Sequence, residues 1–180
     1  MRIDKTRNQI IRNQMVGLLP RLRRFALTLA RDSDRADDLV QASCERALTR
    51  LDQLREGTRL DSWLYRIIYT QWIDRVRRRQ RRSAQAESLR DLQALDEERA
   101  SSPKRLISFM DVKKALGRLA QENRAAILLV AVEGYTYAEA AVVLGVPPGT
   151  VASRVARARS ALAEHFQEEQ PRLLAIHRGN

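Results

Sequence analysis

Six arginines, Arg75, Arg77, Arg78, Arg79, Arg81 and Arg82, follow directly on four aromatic residues, Trp63, Tyr65, Tyr69 and Trp72. Guanidinium groups hold phosphates and aromatic faces stack on unpaired bases, so this combination predicts contact with single-stranded or melted DNA. Trp72 is set apart from the others because it shares an apolar stripe with Leu60, Leu64, Ile68 and Val76, which favours a core position. A second group lies in YAEAAVVLGVPPGTVASRVARARSAL, residues 137–162. A short helix, a tight turn containing glycine and an arginine-rich second helix make a helix-turn-helix. In that second helix Val151, Val155, Ala158 and Leu162 recur at the spacing of a buried face, which turns Ala152, Ser153, Ala156 and Arg157 outward. Small outward residues let a helix sit deep in a major groove, and Arg157 suits a bidentate pair with guanine, a contact that supplies ~1–3 kcal/mol of discrimination. Arg154 and Arg159 stand at the flanks, where phosphates would lie. A third feature is the polar stripe Asp38, Gln41 and Glu45, which by itself reads as a solvated face able to dock a protein surface.

The elements that must carry these residues are helices throughout. Glycine and proline are scarce, at 7 and 5, and apolar residues recur mainly at steps of three and four, which predicts an all-α chain. Pro20 is placed to open a helix through Ala30, behind a weaker helix over 6–18. Ser33 is the expected N-cap of a helix to about Leu51, with Val40, Cys44, Ala47, Leu48 and Leu51 facing the core. Residues 52–58, with Gly57, break the pattern before a third helix runs from Leu60 into the arginines. Farther on, the sequence predicts a short helix around Leu89 to Leu95, a helix from Pro103 to Leu119, and another from Gln121 to Glu133 stopped by Gly134. Thr136 and Glu139 have the spacing of a capping box ahead of a short helix to Leu144, and after the turn Gly145-Val146-Pro147 a last helix runs from Pro148 to about Phe166.

Of the 180 residues 33 are basic and 22 acidic, for a net charge of +11, and 29 of the 33 are arginine, so the expected partner is polyanionic. The charge is uneven: residues 1–82 carry +10, 83–111 carry −2 and 112–180 carry +3. Within the middle stretch, SAQAESLRDLQALDEERASSPK (83–104) is polar at both ends and lacks aromatics, which predicts a linker between two small helical domains. The expected boundaries are a first domain over 1–82, a linker over 83–107, a second domain over 108–168 and a tail over 169–180. No run approaches the ~18 apolar residues of a membrane span, and the first residues do not resemble a secretory signal, so a cytoplasmic protein without membrane insertion is expected. The single cysteine, Cys44, cannot form an internal disulfide, and His165 and His177 make no zinc cluster. With no phosphate-binding glycine loop and no nucleophile beside a base, the expectation is a non-enzymatic protein without cofactor, metal or small-molecule substrate.

Taken together, ADDLVQASCERAL (36–48), SWLYRIIYTQWIDRVRRRQRR (62–82) and TYAEAAVVLGVPPGTVASRVARARSAL (136–162) resemble, in order and spacing, the bacterial extracytoplasmic-function sigma factors. The resemblance runs from about Leu18 to Leu162. It implies a sigma-2 domain that binds core RNA polymerase and the minus-ten element, a flexible linker, and a sigma-4 helix-turn-helix domain that reads the minus-thirty-five element. Carried over by position, Asp38, Leu39, Gln41 and Leu48 fall in the polymerase-contacting segment, with Ala42 where the family usually has an acidic residue. Residues 53–62 resemble the loop that captures a flipped minus-ten base. With the helix that follows, the resemblance assigns Arg55, Thr58, Arg59, Ser62, Trp63, Arg66, Thr70, Asp74, Arg77 and Arg78 to minus-ten recognition and melting. Tyr69-Thr70 stands where an Arg-Asn pair is common. Ala152, Ser153, Ala156 and Arg157 match the base-facing positions of the recognition helix, the two alanines being smaller than the residues often found there. The opening LLPRLRRFALTLARDSDRADDLVQ looks most like the alphaproteobacterial general-stress branch, whose members are usually held inactive by an anti-sigma factor covering both domains. Two rivals stand beside this reading. A stand-alone helix-turn-helix regulator would need a dimer interface and a symmetric operator, and a sigma mimic that sequesters an anti-sigma factor would not need the arginines this chain keeps.

Overall fold

A computed structural model describes residues 2–86 and 109–176, all of them in helices and connecting turns, with no strand among the described residues. Helix α1 spans Arg2–Ala30 as one piece, with Pro20 inside it. The sequence predicted a break here. Pro20 removes the hydrogen bond to the carbonyl of Val16, but Val16 is 65% exposed, so the freed carbonyl lies on the solvated face. On the opposite face Met15, Leu22, Phe25, Ala26 and Leu29 are buried on either side of the proline and hold the helix in register. Arg31, in the left-handed conformation at φ 62°, bonds through its N–H to Leu27 O at 2.8 Å and closes α1.

Helix α2 spans Ser33–Leu48, and its N-cap is Asp32, not Ser33: the Asp32 carboxylate accepts the Arg35 N–H at 2.8 Å. Ser33 Oγ is used instead by Arg23, whose Nη2 donates to it at 3.0 Å. The helix also ends before the predicted Leu51. That residue sits in a single tight helical turn, Leu51–Gln53, and remains buried. Helix α3 spans Leu60–Ala86, past the boundary expected at 82. Its buried residues are Leu64, Tyr65, Ile68 and Tyr69, a wider stripe than the one read from the spacing of Leu60, Leu64, Ile68, Trp72 and Val76. Trp72 and Val76 are half-buried.

In the second half, α4 spans Phe109–Arg118 and α5 spans Gln121–Ile127. The predicted start at Pro103 and the helix around Leu89 to Leu95 lie outside the described residues. In place of a uniform helix to Glu133, α5 opens into a π turn over Leu128–Val132, and Gly134 at φ 73° then breaks the chain direction. Helix α6 spans Tyr137–Leu144, and α7 spans Pro148–Ile176, well past the predicted Phe166. The capping box forms as predicted: Thr136 Oγ1 accepts the Glu139 N–H at 3.2 Å, and the Glu139 carboxylate accepts the Thr136 N–H at 2.8 Å. Gly145 at φ 67° ends α6 in the left-handed conformation that favours glycine.

Helices α1, α2 and α3 pack pairwise into one module, and α5 and α6 pack on α7 in a second. The modules also pack on each other, α3 against α6 and α1 against α5, so one apolar core runs from Ile11 through Tyr65 to Val155.

Candidate nucleic-acid interface

The rim of the first module is set by the turn before α3. Leu54 is buried, the chain reverses at Gly57 with φ 79°, and Arg55, Thr58 and Arg59 are exposed on the way into the helix. Arg59 binds both oxygens of Asp61, at 3.2 and 2.9 Å, and its Nη1 donates to Glu139 Oε1 at 2.7 Å. The same guanidinium lies 4.9 Å from the centroid of the Tyr135 ring. One turn along α3, Ser62 Oγ shares a hydrogen bond of 3.2 Å with the Tyr135 hydroxyl, and Arg66 donates to the Val142 carbonyl at the end of α6. These predicted minus-ten residues are therefore engaged by the helix-turn-helix.

Aromatic packing completes the seam. Tyr65, fully buried, meets Phe25 at 5.0 Å and Tyr135 at 5.8 Å between ring centroids, both edge-on. This corrects the expectation that Tyr65 and Tyr69 stack on bases: both are core residues here, because the second module covers the face they occupy. Trp63 is half-buried against the same core. Burial pushes the Tyr135 hydroxyl up to about 12, with the nearby Asp61 charge acting in the same direction. Burial also acts to raise Asp61, but the Arg59 guanidinium and the Ser62 N–H outweigh it and hold the carboxylate below its ordinary value. The Thr136 N–H and hydroxyl, with Arg59 behind them, lower Glu139 in the same way.

Two further ties join the modules. Arg21 grips Glu133, at 2.8 Å from Nε and 2.7 Å from Nη2, and the Glu133 side chain is only 4% exposed. Arg124, 5% exposed, donates to three carbonyls: Thr28 at 2.9 Å, Gly117 at 3.2 Å and Leu119 at 2.7 Å. Thr28 lies in the last turn of α1, and Gly117 and Leu119 at the end of α4, so the negative ends of two helices stand in for a carboxylate. Burial, and then the neighbouring Arg31 charge, lower the pKa of Arg124 from its ordinary value. Gly117 leaves room for Arg31 at this crossing: a Cβ there would meet Arg31 Nη2 at 3.1 Å, so the exposed guanidinium would have to shift by a few tenths of an ångström.

The remaining candidates divide by exposure. Thr70, Arg77 and Arg78 are exposed along α3 and Asp74 is half-buried. On the side of α3 facing α2, Arg35, Arg75, Arg78, Arg79 and Arg82 ring a groove of about 280 Å³ floored by Trp72. Arg35 was not singled out from sequence, because it stands forty residues upstream of the arginine run and only the fold brings it there. In α7, Val151, Val155 and Ala158 are buried as the spacing predicted, the fourth residue of that line, Leu162, is only half-buried, and Ala156, Arg157 and Arg159 are exposed. Arg157 Nη2 lies 3.3 Å from Ser153 Oγ, which itself donates to Thr150 O. Ala152 and Ser153 are half-buried. Arg154 departs from its expected place at the phosphate flank: it is half-buried beside Tyr69, where its charge opposes the upward shift that burial gives the Tyr69 hydroxyl.

On α2, Asp38, Gln41, Glu45 and Leu48 form one exposed face, with Gln41 Nε2 donating to Glu45 Oε1 at 3.1 Å. Leu48 is 40% exposed, which removes it from the predicted core stripe. Leu39, read by resemblance as a polymerase contact, is 0% exposed and shapes the helix from beneath. Glu133, Tyr135 and Arg124 were missed in the sequence, since each acts through partners distant along the chain and carries no local periodic signal. Among the described residues no cluster of His, Cys, Asp and Glu is arranged to hold a metal, and no helix is long and apolar enough to cross a membrane.

Residues 15–82 match the family Sigma-70 region 2, and residues 109–162 match Sigma-70, region 4. The chain is 36% identical over 155 residues to the ECF RNA polymerase sigma factor EcfG of Rhodopseudomonas palustris, covering 85% of this chain and 83% of that one. It is 36% identical over 142 residues to the ECF RNA polymerase sigma factor SigM of Mycobacterium tuberculosis, covering 79% and 69%. Among solved structures it resembles the sigma factor RpoE from Bartonella quintana, crystallised in complex with the anti-sigma factor NepR, with TM-score 0.73, 31% identity, and coverage of 87% of this chain and 96% of that one. The likenesses to EcfG and RpoE fit the alphaproteobacterial branch. With both sigma-70 regions in order and these relatives along most of its length, the chain belongs to the extracytoplasmic-function RNA polymerase sigma factors.

Proposed function

We propose that this chain directs core RNA polymerase to specific promoters and assists their melting, as a non-enzymatic initiation factor of the cytoplasm. The observation that carries the reading is the pairing, in one chain matching both sigma-70 regions, of an arginine-rich α3 with a recognition helix whose Arg157 is exposed. Residues 1–82 form the polymerase and minus-ten domain, 83–107 the linker, 108–168 the minus-thirty-five domain and 169–180 a tail. The exposed face Asp38, Gln41 and Leu48 docks on polymerase. Ala152, Ser153, Ala156 and Arg157 face bases, while exposed Arg159 holds a phosphate and Arg154 joins it once the parting of the modules frees it from Tyr69.

Arg59, Ser62 and Arg66 are bonded to the second module in the arrangement described, so capture of the minus-ten strand requires the modules to part. Docking on polymerase supplies the free energy for that opening. It also tips melting, because stacking returns ~1–3 kcal/mol per base against an unpairing cost of a few kcal/mol, which is close to balance. An anti-sigma factor is the expected inhibitory partner, supported by the likeness to an RpoE captured with one.

The test is run-off transcription with purified core polymerase on a genomic template library. The expected result is a set of start sites sharing two short elements at fixed spacing. A chain that neither binds core polymerase nor changes its start sites would overturn the proposal, and a duplex footprint without polymerase would favour a stand-alone regulator.

A further inference from the structure

We propose that Arg7, upstream of the segment that matches Sigma-70 region 2, is a positioning residue for the loop over 54–59 and thereby sets the minus-ten preference. The inference rests on the reading of that loop as the base-capturing element. Arg7 Nη2 donates to the Leu54 carbonyl at 2.7 Å, the point where the tight turn Leu51–Gln53 gives way to the loop. One turn farther along α1, Ile11 is buried, and Met15 follows it; Leu51 and Leu54 are buried in the same core, so this end of the loop is clamped to the helix.

Beyond Leu54 the loop has little beneath it. A groove of about 710 Å³ separates α1 from the loop, with Ile10 and Gln14 on one wall and Arg55 and Thr58 on the other. The Thr58 N–H bonds back to Arg55 O inside the loop itself, at 3.2 Å. The far end of the loop is held at Arg59 by Asp61 and Glu139, so the height of Arg55 and Thr58 over the groove is set from the near end by the Leu54 anchor, and a charge-assisted bond from an arginine is a strong one. Arg55 and Thr58, two of the proposed minus-ten residues, lie immediately beyond that anchor.

The test compares the unaltered chain with Arg7→Met, which keeps the length of the stem and removes the donors, and with Arg7→Lys, which restores one donor. Promoter melting by reconstituted holoenzyme is read by permanganate reactivity on a template melted by the unaltered chain and on single-base minus-ten variants of it. Hydrogen exchange of the amides over 55–59 is read on the free chain. The expected result for Arg7→Met is roughly tenfold faster exchange in the loop and a several-fold fall in discrimination among minus-ten bases, with polymerase binding unchanged and partial rescue by Arg7→Lys. Loop exchange unchanged in Arg7→Met overturns the anchoring role. Faster exchange with unchanged discrimination overturns the effect on preference. If the unaltered chain melts no promoter, the functional reading fails, and loop exchange alone still decides whether Arg7 anchors the loop.

Discussion

Arg59 at the entrance to α3 and Glu139 in the first turn of α6 are bonded at 2.7 Å across the two modules, and the same Glu139 carboxylate closes the cap of α6 through Thr136. One side chain therefore serves both the local order of the helix-turn-helix and its attachment to the rim of the first module. Glu139→Ala is expected to loosen the arrangement more than Arg59→Ala, because only the former also loses the cap. Small-angle scattering and a distance reporter between α3 and α6 measure this. Equal loosening by the two substitutions would show that the cap adds nothing.

Acid should part the modules. Asp61 and Glu139 are both held below their ordinary carboxylate values in the folded arrangement. Their contribution is fully present above those ordinary values and is lost as the pH falls through the lowered ones, where protonation removes the acceptors of Arg59. The expected outcome is opening as the solution is taken below the usual carboxylate range, and no opening from neutral pH down to that range. The distance reporter read against pH checks it.

Arg124→Met should cost about 1.5–3 kcal/mol of stability, since it strips a charged donor from three carbonyls, that of Leu119 buried and those of Thr28 and Gly117 part-buried. The loss is measured by urea unfolding. An unchanged midpoint would mean that water replaces the guanidinium at no cost.

Two leucines of α2 are expected to behave oppositely. Leu39→Ala, at a fully buried position, should cost about 2–5 kcal/mol of stability. Leu48→Arg, on the exposed face with Asp38 and Gln41, should change stability by less than about 0.5 kcal/mol while weakening binding to core polymerase. Urea unfolding and a polymerase pull-down separate the two effects.

Arg157→Ala should abolish preference for the minus-thirty-five element and leave polymerase binding intact, measured by reconstituted transcription from promoters differing only in that element. Unchanged promoter choice would count against the base-reading role of Arg157.

Local signals in this chain were legible where one helix decides them. The Thr136 and Glu139 cap, the Gly145 turn, and the buried line Val151, Val155 and Ala158 all depend on neighbours a few residues away, and all are where the spacing put them. The predicted break at Pro20 failed because burial on both sides of the proline outweighs one lost hydrogen bond on a wet face. Tyr65 and Tyr69 look like base-stacking aromatics beside arginines, and nothing local reveals that α6 and α7 cover them. The seam between modules is built from pairs such as Arg21 with Glu133 and Arg124 with Thr28, whose separation along the chain leaves no periodic trace.

The unbroken run of α1 through Pro20 gives this molecule a beam. At about 1.5 Å of rise per residue its 29 residues extend some 40 Å, with Arg7 tied to Leu54 near one end and Thr28 tied to Arg124 near the other. With apolar residues packed on both sides of Pro20, a push at either end should travel along the rod instead of dissipating in a hinge. Prying Arg124 away should therefore be felt at Leu54, and the grip on an extruded base and the spread of the two halves should answer to a single lever.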